Sequence, residues 1–446
     1  MSENPPRILN IAAIGCGGRT RTYFELAARK KDRYRLVAAA DPNRDRLEKA
    51  RALSGNPGFK CFQSDEAILR EPRLADVMII GTQDSAHREQ AIAAMEAGYD
   101  LLLEKPVACS LEDATAVEAA ARRLGRRVMV CHVLRYTAFY KKVKAIIDSG
   151  KLGRIISMNA TEGVGAWHFA HSYVRGHWSV QSKSSPTILA KCCHDLDIIR
   201  WLMDAPCESV SSHGGLSHYR VENAPADAPD HCLEGCPVGE RCFFNAERYL
   251  SDQGKWLSYV CDFKDPADQR GWLLRSPWGR CVYRSDNDAP DHQVVAMTFA
   301  NGGTASLTMT AFESGRHLEV FGTEGRLRGG EFVLQATGSE IVLNNLDGEG
   351  GEEAIKVGAQ SEGYDGHLGG DAGLIDALYD AMCHDDYESN AASLEMAIHS
   401  HQIAFAAARA LTNREAISLR DFAFPHSNSS SARAADSTTR TKPTRL

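Results

Sequence analysis

Over the first 130 or so residues the apolar positions fall in short, nearly unbroken runs: Ile8–Ile14, Leu36–Ala40, Val77–Ile80, Leu101–Leu103 and Val128–Val130. Runs this short and continuous predict strands covered on both faces. Between them, Asn43–Leu53 and His87–Ala97 carry helical periodicity, and Gly98 closes the second stretch. Ser110 caps a predicted helix over Leu111–Leu124, with Asp113 at the capping-box position and Gly125 at its end. The alternation predicts βαβ units around a parallel sheet.

Past Cys131 the texture changes. A predicted helix over Phe139–Asp148 leads into an alternating strand, Ile155–Ala160, and a helical stretch follows over His194–Met203. From His292 onward the runs are β-rich: His292–Phe299, Thr304–Thr310, His317–Phe321, Glu331–Gln335 and Glu340–Leu343. Turns such as Asn301-Gly302-Gly303 separate them, which predicts an antiparallel sheet. Helices near Ala372–Cys383 and Leu394–Thr412 follow. The pattern describes an α/β protein, with a dinucleotide-binding domain over 1–132 and an α+β domain over 133–426. The latter carries a Cys-rich insertion at about 213–279, and residues 427–446 read as a disordered Ser/Thr/Arg-rich tail.

Composition narrows the class. With 446 residues, 43% hydrophobic and 24% charged, the chain can fill the cores of two domains. A formal net charge of −7 speaks against a general nucleic-acid binder, and no apolar run is long enough to span a bilayer. The polar start, Met1–Arg7, runs straight into a strand and reads as no secretory signal. Thirteen cysteines, several within core runs (Cys131, Cys192, Cys193), fit a reducing cytoplasm rather than a disulfide framework.

Gly15-Cys16-Gly17-Gly18-Arg19-Thr20 follows the first strand and opens a helix, as a dinucleotide-binding loop must. Gly15 permits the tight turn, and Gly17 lets the backbone approach a pyrophosphate seated on the helix N-terminus. Thr20 replaces the third glycine. Asp41, at the end of the second strand, sits where a carboxylate binds the adenosine ribose and disfavours a 2′-phosphate, so NAD is the expected cofactor. Arg44 and Arg46 temper that preference, and Asp41 can at the same time serve as a helix N-cap ahead of Pro42.

Glu104-Lys105-Pro106 follows the strand Leu101–Leu103, at the sheet edge that faces a cofactor crevice. Together with the Gly15–Gly18 loop, Asp41, the turn from Thr82 to His87, and His194-Asp195-Leu196-Asp197 before Trp201-Leu202, it resembles the Gfo/Idh/MocA family of sugar and inositol oxidoreductases. The resemblance covers about Ile8 to Ser418 apart from the insertion. It implies a Rossmann domain followed by an α+β domain with an open, mostly antiparallel sheet, assembled as a homo-oligomer (dimer or tetramer) acting on a small carbohydrate. Gly15, Gly17, Gly18, Arg19, Asp41, Thr82, His87, Glu104 and Lys105 would then contact NAD. Lys105 corresponds to the family's active-site Lys, His194 to the His that acts on the substrate hydroxyl, and Asp197 to the acid three residues later. Many members carry an Asp four residues before that His; here Ala190 stands there, with Lys191 beside it. Lys191 and Tyr136 are the further candidates for proton transfer.

Between Trp167 and Ser185 lie His168, His171, Tyr173, Arg175, Trp178 and Lys183, well placed to line a sugar pocket by stacking and by binding anionic oxygens. With Arg135, Tyr136 and Lys191 the basic groups suggest an anionic sugar, or else they pair with acids elsewhere; Asp195 is a further substrate-binding candidate. Two functions remain. One is an NAD-dependent dehydrogenase of a sugar hydroxyl. The other is an NAD-dependent glycoside hydrolase of the sulfoquinovosidase kind, which oxidises C3 transiently and then re-reduces it. In the insertion, His231, Cys232, Cys236 and Cys242, with Cys261 and Cys281 further on, form no standard zinc spacing. Reduced cysteines packed under a loop are the favoured reading over a structural zinc, and no metal is expected.

Overall fold

The computed structural model describes residues 7–331, 339–346, 351–358, 367–383 and 393–422. Six strands, β1 (Leu9–Ile14), β2 (Tyr34–Ala40), β3 (Lys60–Phe62), β4 (Val77–Ile80), β5 (Asp100–Leu103) and β6 (Val128–Val130), form a parallel sheet ordered β3-β2-β1-β4-β5-β6. The central strands are buried on both faces, which is why their sequences are apolar throughout. One face packs on the helices Gly18–Ala28 and Gly370–Cys383, through Tyr23, Phe24, Leu374 and Leu378. The other packs on His87–Glu96, Leu111–Leu124 and the start of Leu394–Asn413. The first sheet is therefore covered in part by helices from the far end of the chain. Strand order reverses between β1 and β4, the place where such sheets open a ligand crevice.

Among the described residues the second sheet has nine strands: β7 (Ile155–Val164), β8 (Cys207–Gly215), β9 (His292–Phe299), β10 (Thr304–Thr310), β11 (Ser314–Gly322), β12 (Gly325–Glu331), β13 (Ser339–Asn345), β14 (Glu352–Val357) and β15 (Ile417–Ser418). Their order is β14-β13-β12-β11-β7-β10-β9-β8-β15, and only β7 and β10 pair in parallel. Strand β9 alternates exposed and buried residues along its length, so one face of this sheet meets the core and the other is open. The inner face packs on the helix Thr187–Met203 and on Leu394–Asn413.

Several elements differ from the sequence expectation. The helix expected from His194 begins at Thr187, because Ile188, Leu189, Ala190, Cys192 and Cys193 are buried around its whole circumference and leave no amphipathic period. Strand β12 ends at Glu331, where a strand was expected to start; positions 332–335 of that expectation, and the tail 427–446, lie outside the described residues. Short β3, serine- and glycine-containing β8 and charged β14 show no apolar run. The insertion has a small core of its own: Tyr249, Leu257, Leu273 and Trp278 close around Trp167.

Candidate active site

At the crevice Gly15 has φ +85°, and a Cβ there would stand 2.7 Å from the Gly81 carbonyl oxygen. Only glycine fits where the ends of β1 and β4 come this close. A Cβ on Gly17 would find nothing nearer than 4.0 Å, so the space over the start of the helix Gly18–Ala28 is clear. That helix has no side-chain N-cap and no acid in its first turn, which leaves its amides for an anion. Asp41 is buried; Oδ2 accepts from the Cys16 amide at 2.7 Å and Oδ1 from the Asn43 amide at 2.8 Å. The helix N-cap is Asn43, not Asp41, and the Asp41 carboxylate braces the glycine loop through the Cys16 amide. The residues present fit a dinucleotide.

The groups around Glu104-Lys105-Pro106 are mostly held by one another. Glu104 Oε1 accepts from Tyr23 Oη at 2.6 Å and Arg19 Nε at 3.1 Å. Burial works to raise its pKa, but the Arg19 and Lys105 charges outweigh that and hold it below the usual range. Arg19 also donates to Asp371 at 2.5 and 3.1 Å, so the guanidinium expected on NAD ties the first helix to Gly370–Cys383. The His87 ring lies 2.7 Å from the Pro106 carbonyl and 3.3 Å from that of Thr82. A neutral ring has one N–H to give, and the nearer acceptor is the Pro106 carbonyl on the Lys105 loop. Thr82 itself donates to Gln90. Lys105 crosses to the second domain, where Nζ donates to the Ala190 carbonyl at 2.9 Å.

Ala190 and His194 are one turn apart on the helix Thr187–Met203, so the Lys105 amine is held one turn from His194, close enough for its charge to act on the ring. His194 is buried, and its Nδ1 has no hydrogen-bond partner among the described residues. Burial, then the Lys105 charge, push its pKa well below the ordinary histidine value. The rings of His132 and His367 stand 5.9 and 6.0 Å from it. Asp197, a turn further on, is fully buried between His132 Nδ1 at 2.8 Å and a two-pronged Arg135 at 2.6 and 2.7 Å. Burial opposes its ionisation, yet Arg135 and then His132 hold the carboxyl well below the usual range. Arg135, expected to bind substrate, is thus consumed by Asp197.

On the same helix Lys191 pairs with buried Glu162 at 2.9 Å. Glu162 also meets Arg316, whose Nε donates to Asp195 at 2.8 Å. Burial raises Asp195 to about 6 despite Arg316. Glu162 on β7 and Arg316 on β11 escaped the sequence reading because each sits alone in a strand with no motif around it. His132 did have a signal: it follows β6 at the crevice edge. Tyr136 is buried in the core beneath the first sheet, beside Met129 and Leu374.

Among the loop residues, His168 lies against Trp256 of the insertion (rings 4.9 Å apart), and burial, then Lys191, lowers its pKa. Tyr173 packs between Phe169 and Trp178. The Trp178 indole donates to Asp84 of the first domain at 2.8 Å. His171 bonds Tyr249 at 2.8 Å within the insertion. Arg175 is buried away from the crevice, donating to the carbonyls of Arg280 and Phe244 at 2.7 Å each, because the insertion closes over it. Lys183 is exposed. The insertion also reaches the glycine loop: Asp262 accepts from Asn43 at 2.9 Å, and the Tyr259 ring lies 3.9 Å from where a Gly18 Cβ would be.

Residues 9–132 match the model of an oxidoreductase family with an NAD-binding Rossmann fold, and residues 144–419 match that family's C-terminal alpha/beta domain. YteT of Bacillus subtilis is 26% identical over 386 residues, 83% of this chain and 88% of YteT. Inositol 2-dehydrogenase of Streptomyces avermitilis is 28% identical over 210 residues, 46% of this chain and 56% of that enzyme. An Agrobacterium radiobacter oxidoreductase, solved with NAD+, L-tartaric acid and magnesium, superposes with a TM-score of 0.65 at 15% identity, covering 93% of this chain and 100% of that one. Among the described residues no helix is long and apolar enough to cross a membrane. The chain belongs to the Gfo/Idh/MocA oxidoreductases, a family of NAD-binding sugar and inositol-type dehydrogenases.

Proposed function

We propose that the protein is an NAD-dependent dehydrogenase acting on a ring hydroxyl of a cyclic polyol or sugar. Lys105, just past the carboxyl end of β5, bonding the His194 helix one turn before His194, carries this reading. NAD, when bound, supplies the acceptor for the hydride leaving the carbinol carbon. The neutral His194 ring accepts the hydroxyl proton, and the Lys105 ammonium favours the oxygen as it becomes negative. Lys191 and Tyr136 are not assigned a proton-transfer step, the first being held by Glu162 and the second packed in the core. With Arg135 held by Asp197, Arg175 under the insertion and Lys191 by Glu162, the substrate is proposed to be neutral rather than anionic.

Incubation with NAD and a panel of inositols, aldoses, uronic acids and aryl glycosides tests the proposal. NADH should appear in step with oxidised product on a neutral polyol or sugar. Aglycone released without net NADH would instead assign a redox-neutral glycosidase, and preference for the acids would overturn the neutral-substrate reading.

A further inference from the structure

The insertion crosses to the first domain through the segment that follows its short helix Gly254–Leu257. The Cys261 amide donates to the Leu257 carbonyl at 2.9 Å, and Cys261 is buried with Tyr249, Leu257 and Leu273 in the insertion's own core. Just beyond, Asp265 caps the helix Pro266–Arg275 by accepting from the Ala267 and Asp268 amides at 2.8 and 3.2 Å. Asp262 is therefore held between a buried residue and a capped helix. Its position is set by backbone, although the side chain itself is half exposed.

What Asp262 meets is the stretch directly after β2. Its Oδ2 accepts from Asn43 Nδ2 at 2.9 Å and stands 3.7 Å from Arg46 Nη2. The other end of the Asn43 side chain, Oδ1, accepts from the Asp45 and Arg46 amides as the cap of the helix Arg44–Ser54. The Asn43 backbone amide donates to Asp41. Asn43 is thus bonded by two carboxylates, one from each side of the chain crossing. Arg46 also lies within reach of the glycine loop: burial and then Asp41 push the Cys16 thiol pKa up, and the Arg46 charge opposes them. In dinucleotide folds an acid after the second strand takes the adenosine ribose hydroxyls of NAD, and an Arg nearby accommodates the 2′-phosphate of NADP. Here that Arg already faces a carboxylate supplied from outside the Rossmann domain. A 2′-phosphate, carrying about −1.5 to −2 charges at neutral pH, would meet two acids and an engaged guanidinium.

We propose that Asp262 is a specificity-determining residue for the cofactor: by holding Asn43 and Arg46 it excludes a 2′-phosphate, so the insertion sets the choice of NAD over NADP. The Rossmann domain alone carries a mixed signal, Asp41 against Arg44 and Arg46, and a residue 219 positions from Asn43 resolves it. The selection works by repelling the wrong ligand rather than by improving contacts to the right one. Removing Asp262 should therefore admit NADP without loosening NAD. Selection at this place is also independent of which hydroxyl compound is oxidised.

Calorimetric titration of the full chain with NAD and with NADP, in the absence of any second substrate, tests this. The wild type should bind NAD in preference to NADP. Asp262→Ala and Asp262→Asn should each tighten NADP by about tenfold while the NAD Kd stays within a few-fold. The Asn variant keeps an acceptor for Asn43 and removes only the charge, so a gain in both variants assigns the effect to charge. The gain should shrink as salt rises, and adding Arg46→Ala to Asp262→Ala should remove it. Glu234→Gln, which neutralises an exposed acid elsewhere in the insertion, should change neither Kd. A wild type that takes both dinucleotides equally, or an NADP Kd unmoved in both Asp262 variants, would overturn the proposal. So would an equal NADP gain in Glu234→Gln, which would trace the effect to net charge, or a parallel loss of both dinucleotides, which would leave Asp262 as an anchor of the insertion only.

Discussion

His194 and Asp197 sit a turn apart with opposite electrostatic surroundings, and each yields its own expectation. Burial and the Lys105 charge hold His194 neutral to lower pH than an ordinary histidine. Since the neutral ring is the proposed base, the acid limb of kcat/KM should lie below pH ~6.5, the ordinary histidine value. His194→Asn should lower kcat by roughly 10²–10⁴-fold while the NAD Kd, measured by fluorescence titration, stays within a few-fold. Equal losses in both would remove it from the chemistry. Asp197 is the reverse case, a carboxyl held below its usual pKa chiefly by Arg135 against the cost of burial. Its stabilisation is complete above the unfolded Asp value of ~3.9 and fades as pH falls through the lower folded value. Asp197→Asn leaves a buried guanidinium half-paired and should cost about 3–5 kcal/mol in urea unfolding at neutral pH. A loss under ~1 kcal/mol would show that Arg135 finds another partner.

At the scale of elements, every strand of the first sheet but β3 was legible, because burial on both faces writes itself as continuous apolar runs. Gly15 was legible because its positive φ and the close Gly81 carbonyl admit no side chain. Gly15→Ala should cost more than ~1 kcal/mol of stability and abolish measurable NAD binding by calorimetry; binding retained at wild-type strength would show that the loop can re-form. What the chain did not display were contacts between elements. Arg19, Arg135 and Arg175 read as binding cations, and each turned out to be spent on Asp371, Asp197 and main-chain carbonyls respectively. Pairing depends on positions up to 352 residues apart. No local spacing encodes it. The helix Thr187–Met203 was half missed for a related reason: being buried all round, it has no polar face to mark its start.

For the whole molecule the decisive question is what keeps the Lys105 loop of one domain registered on the His194 helix of the other. The Lys105–Ala190 bond is a single contact, and the Val107 amide donating to His401 at 2.9 Å is a second, on the helix that packs against both sheets. The third is Trp178, which reaches from the substrate-side loop to Asp84 in the turn beside the crevice. Asp84 is buried, and its other side-chain partner is a distant Ser185 hydroxyl at 3.5 Å. Trp178→Phe keeps the ring against Tyr173 but leaves that carboxylate unsatisfied, so it should cost about 1–3 kcal/mol of stability. If the bond also sets domain register, KM for the sugar should rise with the NAD Kd unchanged. Asp84→Asn with Trp178 intact keeps an acceptor for the indole and should retain most of both. In a double-mutant cycle with Asp84→Ala the coupling should reach roughly 0.5–3 kcal/mol. Additive losses would mean that Trp178 and Asp84 act separately, and that the register of Lys105 on the His194 helix rests on His401 and the helix around it.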